Sequence, residues 1–312
     1  MNHQLLIAEF LATPWALMPE RLNTVTAVMA RWSRNVPADL EVLAGIHVDR
    51  AVREARRQAA TAVSSGGIAV LPLYGVVTQR GNMVDDVSGP GSVSTQQFAS
   101  ALRQALADDT VSQILIDIDS PGGSVYGVSE LSDEIASARA QKPVVAIANS
   151  LAASAAYWIG CSAGEFYVSP GGEVGSIGVW QAHFDHSQAL AAEGVTPTLI
   201  SAGKYKVEGN PYAPLDEEAQ GFMQSRVDDY YASFTKAVAR GRGVPIAQVR
   251  DGMGQGRVLG ADAALAQNMV DGVATFEDVI RKVRRDMKSM TGSKASRLAQ
   301  AQRKLAMVGA AG

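Results

Sequence analysis

From residue 68 onward, short apolar runs alternate with longer segments whose apolar residues recur every three or four positions. "IAVLPLYGVV" (68–77), "VSQILIDID" (111–119) and "KPVVAIAN" (142–149) are runs of strand length, rich in β-branched residues. Between and after them, "STQQFASALRQALADD" (94–109), "SVYGVSELSDEIASARA" (124–140) and "LAASAAYWIGCSA" (151–163) carry helical spacing. Ser94 or Thr95 is suited to cap the first of these helices. Apolar strands alternating with helices predict βαβ units and a mostly parallel sheet buried on both faces. A Gly-rich segment (171–178) follows, then a short helix near 185–193 and a strand, "TPTLISA" (196–202). A loop with two lysines leads to a long amphipathic helix over 216–242, and "GRVLGADAALAQNMVDGVAT" predicts strand, helix, strand.

The two ends read differently. "PERLNTVTAVMARW" has helical spacing and "DRAVREARRQAATAV" is charge-laced, so residues 1–62 are expected to be a helical N-terminal arm that "SSGG" at 64–67 closes. Residues 63–276 form the α/β body. Residues 277–312 are expected to be a basic, flexible tail, with nine Lys or Arg between 281 and 304 against Asp286 alone.

Composition narrows the possibilities modestly. Hydrophobic residues make up 47% of the 312 and charged residues 19%, as in an ordinary globular protein. A net charge of -3 exerts no global pull on nucleic acid or an anionic membrane, and neither is expected as a partner. The lone cysteine, Cys161, rules out an intramolecular disulfide and fits a reducing cytoplasm. No apolar run is long enough to span a bilayer, and the N-terminus lacks the basic start of a signal peptide.

In parallel α/β sheets, reactive groups gather beyond the carboxyl ends of the strands. Two loops qualify here, "DIDSPGGSV" and "ANSLAASAAY". Gly122 and Gly123 let backbone N–H groups approach a ligand closely, and a position at the start of a helix would aim a positive dipole at an oxyanion. A plain strand-to-helix turn accounts for "PGG" equally well. Ser154 lies in the first turn of the next helix, among small residues, while Ser150 reads as a cap or turn residue. A serine hydroxyl needs a base to act as nucleophile. His183 and His186 flank Asp185, too close in sequence to it to orient an imidazole well. Lys204 and Lys206, in "SAGKYKVEGNPYAPL", offer amines that are bases only when uncharged. Ser176, in "VGSIGV", is placed to orient such an amine or to serve a turn.

Taken together and in this order, "DSPGGSV", "NSLAASAAYWI", "VGSIGV", "GKYKVEGNP" and "GRVLGADAALAQNMVD" resemble the signal-peptide-peptidase-A-like serine peptidases, across roughly residues 66–275. The resemblance implies an α/β, Clp-protease/crotonase-like fold of parallel sheets and repeated βαβ units. It also implies a Ser-Lys dyad that needs no cofactor or metal. Carried over residue by residue, the nucleophile falls on Ser154, the general base on Lys206, the lysine-orienting serine on Ser176. The oxyanion donors fall on the N–H groups of Gly123, Gly122 and Ala155. Ala155 and Ala156 replace the two glycines of the family's "AASGGYW" pattern, which narrows the site. "YKVEGNPYAPLDEE" and "PWALMPERLNTVTAVM" resemble the lambda-type bacteriophage head-maturation proteases in particular. That likeness implies a ring-like homo-oligomer in the host cytoplasm or inside the prohead, acting on scaffold, portal and capsid proteins and on itself. The alternatives are a catalytically silent assembly protein of the same fold, a cytoplasmic peptide-degrading relative, a crotonase-like acyl-CoA enzyme, and Ser-His-Asp catalysis through His183 or His186.

Overall fold

The computed structural model describes residues 13–19, 67–80 and 92–289. Its central sheet runs β10-β9-β7-β5-β2, formed by Val258–Gly260, Glu173–Gly175, Val144–Ala153, Gln113–Ser120 and Ile68–Tyr74. β7 is long enough to pair with two neighbours along one edge. Its first half pairs with β8 (Glu165–Val168) and its last residues pair with β9. β11 (Gly272–Val273) extends the β8 side, and every pairing in this sheet is parallel except β10 with β9.

The strand sequences explain the burial on both faces. In β5, Ile114, Ile116 and Ile118 point to one side and Leu115 to the other. In β7, Val144, Ala146 and Ala148 share the first side, while Val145 and Ile147 share the second. The first side is covered by α1 (Thr95–Ala107), α2 (Val128–Ala138) and α3 (Ala155–Gly160). α1 starts where Ser94 Oγ accepts the Gln97 amide at 3.2 Å, and it buries Phe98, Ala99, Leu102 and Ala105 as one stripe.

The second side packs against residues 276–289, which are helical and bury Val279, Ile280 and Val283. The basic stretch from 277 therefore begins as a docked helix and not as a flexible tail. Arg281, Arg284, Arg285 and Lys288 are exposed, Lys282 reaches Glu165 of β8 at 2.7 Å, and the apolar residues close the sheet.

α4 (Ser187–Ala192) leads, by a loop, into α5 (Glu217–Arg242), which is capped by Asp216 and ended by Gly243 in a left-handed conformation. Only the C-terminal half of α5 is well buried. There Phe234 stacks on Trp158 with ring centroids 4.8 Å apart, and Arg242 holds Asp271 through two hydrogen bonds of 2.9 and 2.8 Å. α6 (Ile246–Asp251) and α7 (Ala261–Ala266) complete the body.

Three further expectations need correction. "IAVLPLYGVV" is two strands, β2 and β3 (Val76–Thr78), because Gly75 (φ 78°) turns the chain between them. "TPTLISA" is no strand: residues 196–202 are exposed and irregular, since apolar residues alone give no strand without a neighbour to pair with. Finally, Trp15–Leu17, inside the expected helical arm, is a strand, β1. The helical segments expected between residues 20 and 62 lie outside the described residues. β1 belongs to a second, four-stranded sheet of order β1-β6-β3-β4, with β6 being Gly122–Ser124 and β4 Ser92–Ser94.

Candidate active site

β7 ends at Ala153 and α3 begins at Ala155, so Ser154 is the single residue on which strand becomes helix. Its backbone has φ 55° and ψ -117°, a conformation that costs a non-glycine residue about 1–3 kcal/mol and persists only where the surroundings enforce it. The surroundings do enforce it. The Ser154 amide donates to Gly175 O at 2.7 Å, and its carbonyl accepts the Trp158 amide at 2.9 Å. Ala153, Ala155 and Ala156 are wholly buried around it, which explains why this stretch is composed of small residues. Both alanines that stand in for the family's glycines lie within α3, where no left-handed backbone is required. The side chain of Ser154 is buried, and its Oγ donates to Gly178 O at 3.4 Å. Ser150, by contrast, lies exposed within β7.

Gly122 and Gly123 are found in β6 and not at a helix start. α2 begins only at Val128, after Gly127. The dipole argument for these two amides therefore does not hold, and strand pairing sets their direction instead. Gly122 (φ 97°) has no room for a side chain: a Cβ there would collide with Ala16 O and stand 2.9 Å from Ser154 Cβ. Its amide is already used, donating to Ser120 Oγ at 3.2 Å, while Ser120 Oγ donates to Gly75 O at 2.6 Å. Gly123 is wedged against Val77 in β3, where any Cβ would overlap the Val77 carbonyl. Gly123 stands opposite Ala16 of β1 on one side and Val77 of β3 on the other, and of the two glycines it is the one whose amide is not taken by Ser120. The Ala155 amide, first in α3, has no intrahelical acceptor and points out of the same helix end. Two N–H groups beside a buried serine on a strained strand-to-helix turn are the elements of an oxyanion site.

The remaining candidates are unevenly placed. Ser176 (φ 53°) directly follows Gly175, whose carbonyl receives the Ser154 amide, so it is a near neighbour of the serine. Lys204 is bound to Glu218 at 2.7 Å and to the Tyr205 hydroxyl at 2.8 Å. The bond to Glu218, and then that to Tyr205, push its pKa above the ordinary lysine value, so it is held as an ammonium. Lys206 is exposed in a turn, and among the described residues no hydrogen bond joins it to Ser154. His183 and Asp185 are engaged elsewhere. His183 Nε2 lies 3.0 Å from Asn210 O, and Asp185 accepts the Ser187 amide at 2.8 Å. No cluster of His, Cys, Asp and Glu able to hold a metal occurs among the described residues.

Two participants escaped sequence reasoning. β1 runs antiparallel to β6, with Ala16 opposite Gly123, and Trp180 pairs with the other edge of β1. "TPWALMP" brackets four residues with prolines, which was a signal for an extended segment, but helical spacing after Pro19 drew the whole region into a helix.

Fold and site together define an α/β protein carrying a buried serine at a strand-to-helix elbow beside a diglycine strand. Residues 136–289, a little under half of the chain, match the model described as "Peptidase family S49". It is 34% identical over 228 residues to "Capsid assembly protease C" of Escherichia phage lambda, a match covering 73% of this chain and 51% of the relative. It is 37% identical over 180 residues to "Head-tail preconnector protein GP5" of Enterobacteria phage P21, covering 58% of this chain and 36% of the relative. "Protease 4" of Salmonella typhi is 32% identical over 208 residues, covering 66% and 33%. The chain thus spans about half or less of these relatives' own length. Among solved structures, ClpP1 of Listeria monocytogenes superposes with a TM-score of 0.45 at 13% identity, covering 70% of this chain and 97% of that one.

Proposed function

We propose that this chain is a serine endopeptidase that processes capsid, scaffold and portal proteins during phage head maturation, in the host cytoplasm or within the prohead. The observation that carries the reading is Ser154: a buried hydroxyl on a strained turn, with Gly122 packed against its Cβ. In the proposed reaction Ser154 Oγ attacks a peptide carbonyl and passes its proton to the uncharged amine of Lys206. The N–H groups of Gly123 and Ala155 receive the oxyanion, Ser176 orients the amine, and the resulting ammonium protonates the leaving nitrogen. Water then releases the acyl group through the same base.

Lys206 has to leave water to act in this way, because a solvated ammonium does not accept a proton. It lies in a stretch, residues 191–206, that is exposed throughout and that includes Ile200 at 95% exposure. Val195, Leu199 and Tyr205 are exposed beside it, and an apolar patch of that kind favours burial against another copy. In our reading, ring assembly packs this arm on a neighbour and carries Lys206 to a serine. The names of the phage relatives, a capsid assembly protease and a head-tail preconnector, support the choice of substrates.

The test is co-expression with capsid and scaffold proteins, with mass spectrometry of the products. Ser154→Ala and Lys206→Ala should each abolish processing, by at least about a thousandfold for the serine, while His183→Ala and His186→Ala retain it. Unchanged processing in Ser154→Ala would instead favour a silent assembly protein. Loss in the histidine variants with Lys206→Ala active would favour a Ser-His site.

A further inference from the structure

The strand β1 lies where a peptide substrate of Ser154 would have to lie. Its backbone is held on both edges. On one side Met18 N donates to Pro121 O at 3.1 Å and Val125 N donates to Pro14 O at 3.4 Å. Those bonds lie two residues either side of the Ala16–Gly123 pair. The alternation of an antiparallel ladder therefore makes that pair a hydrogen-bonded one, with the Gly123 amide donating to Ala16 O. On the other side Trp15 and Trp180 exchange two backbone bonds, of 2.8 and 3.0 Å, and the Trp180 indole donates to Leu17 O at 2.9 Å. The Ala16 carbonyl is thus received by the amide read as the first oxyanion donor. It also crowds the same point at Gly122 that Ser154 Cβ approaches to 2.9 Å.

We propose that residues 13–18 are this enzyme's own first substrate, docked with the Ala16–Leu17 peptide bond at Ser154, and that the groove stays closed to other substrates until that bond is cut. The proposal rests on Ser154 being the nucleophile. Ser154 Oγ bonds to the Ala16 carbonyl carbon, the Ala16–Leu17 C–N bond breaks, and the hydroxyl proton leaves through the base to the Leu17 nitrogen. Water then hydrolyses the ester, leaving an Ala16 carboxylate and a restored hydroxyl. The fit also defines specificity. The residue before the cut, Ala16, is wholly buried, which admits alanine and excludes bulk. Two residues further back proline is accepted, because Pro14 contributes only its carbonyl. Trp180 is the positioning residue for the strand.

The experiment uses the full chain and a synthetic peptide, LATPWALMPERL, copying residues 11–22. Intact-mass and N-terminal analysis of the wild type should show conversion to a chain beginning at Leu17, with none in Ser154→Ala. The peptide should be cut in trans between the same Ala and Leu, and an Ala-to-Trp peptide should be cut at least about tenfold more slowly. Trp180→Phe should raise KM for the peptide several-fold with little change in kcat. A wild type that processes capsid proteins but leaves both its own N-terminus and this peptide intact would overturn the proposal while sparing the protease reading. A wild type inert toward every substrate, capsid proteins included, would overturn both. Cleavage of chain or peptide at another bond would overturn the assignment of Ala16–Leu17.

Discussion

The Ser154 turn and the 191–206 arm are built in opposite ways. At the turn, Ser154 is held at both its amide and its carbonyl, the neighbours are buried alanines, and β6 meets β1 and β3 at two glycines that accept no side chain. Along the arm, side chains are exposed, no strand forms, and the Lys206 amine has no partner among the described residues. One half of the proposed dyad is fixed by the fold of a single chain, and the other half is not. In the proposed reading, preorganisation is complete for nucleophile and oxyanion donors, whereas the base is delivered by assembly. That division would make proteolysis conditional on the ring, which suits an enzyme that must act only inside a particle.

Substitutions separate the two regions by size of effect. Gly123→Ala forces a Cβ into the Val77 carbonyl and displaces the amide aimed at the oxyanion. Turnover should fall by about a hundredfold or more, with a lower melting temperature. A variant with normal activity would show that this amide is not a donor.

Next in size is the Arg242–Asp271 pair, which anchors the end of α5 against β8 and β11. Arg242 is largely buried, also donates to Asn268 O at 2.9 Å, and Asp271 accepts the Phe166 amide at 2.7 Å. Arg242→Ala should destabilise the fold by about 3 kcal/mol in a denaturant titration, since it strands a partly buried carboxylate. Burial pushes the Asp271 pKa up, but the Arg242 hydrogen bonds outweigh it and hold the carboxyl below its ordinary value. A lowered folded pKa contributes stability that is full above the unfolded pKa of about 4 and is lost as pH falls through the folded one. Unfolding free energy of the wild type should therefore drop below about pH 4, and Arg242→Ala should show a shallower drop.

The smallest effect on stability belongs to the arm. Ile200→Lys removes no contact within the chain and should shift stability by less than about 0.5 kcal/mol. It should nevertheless break the ring in analytical ultracentrifugation and abolish capsid processing. An unaltered ring would place the assembly surface elsewhere.

The same contrast explains what was legible in the sequence. β5 and β7 were readable because a strand buried on both faces is written as a continuous β-branched run, and α1 and α5 because their caps and apolar stripes are local. Ser154 stood out by its small neighbours, although only the strand-to-helix break at that residue reveals why they are small. β6 was misread as a helix start because "PGG" becomes a strand only through β1 and β3 on either side of it, and β1 comes from far upstream in the chain. "TPTLISA" has the pattern of a strand and no sheet to join. For Trp15–Leu17 the flanking prolines hint at an extended segment, but nothing local in it tells of the pairing with β6 and Trp180.

The central claim, that Ser154 is the nucleophile and Lys206 its base, is tested most directly by labelling the assembled protein with a fluorophosphonate to completion and locating the adduct by peptide mass spectrometry. The account predicts one adduct per chain, on Ser154, that is absent in Ser154→Ala and lost in Lys206→Ala but retained in His183→Ala and His186→Ala. An adduct on another serine, or labelling of Ser154 that survives Lys206→Ala and disappears with either histidine, would contradict it.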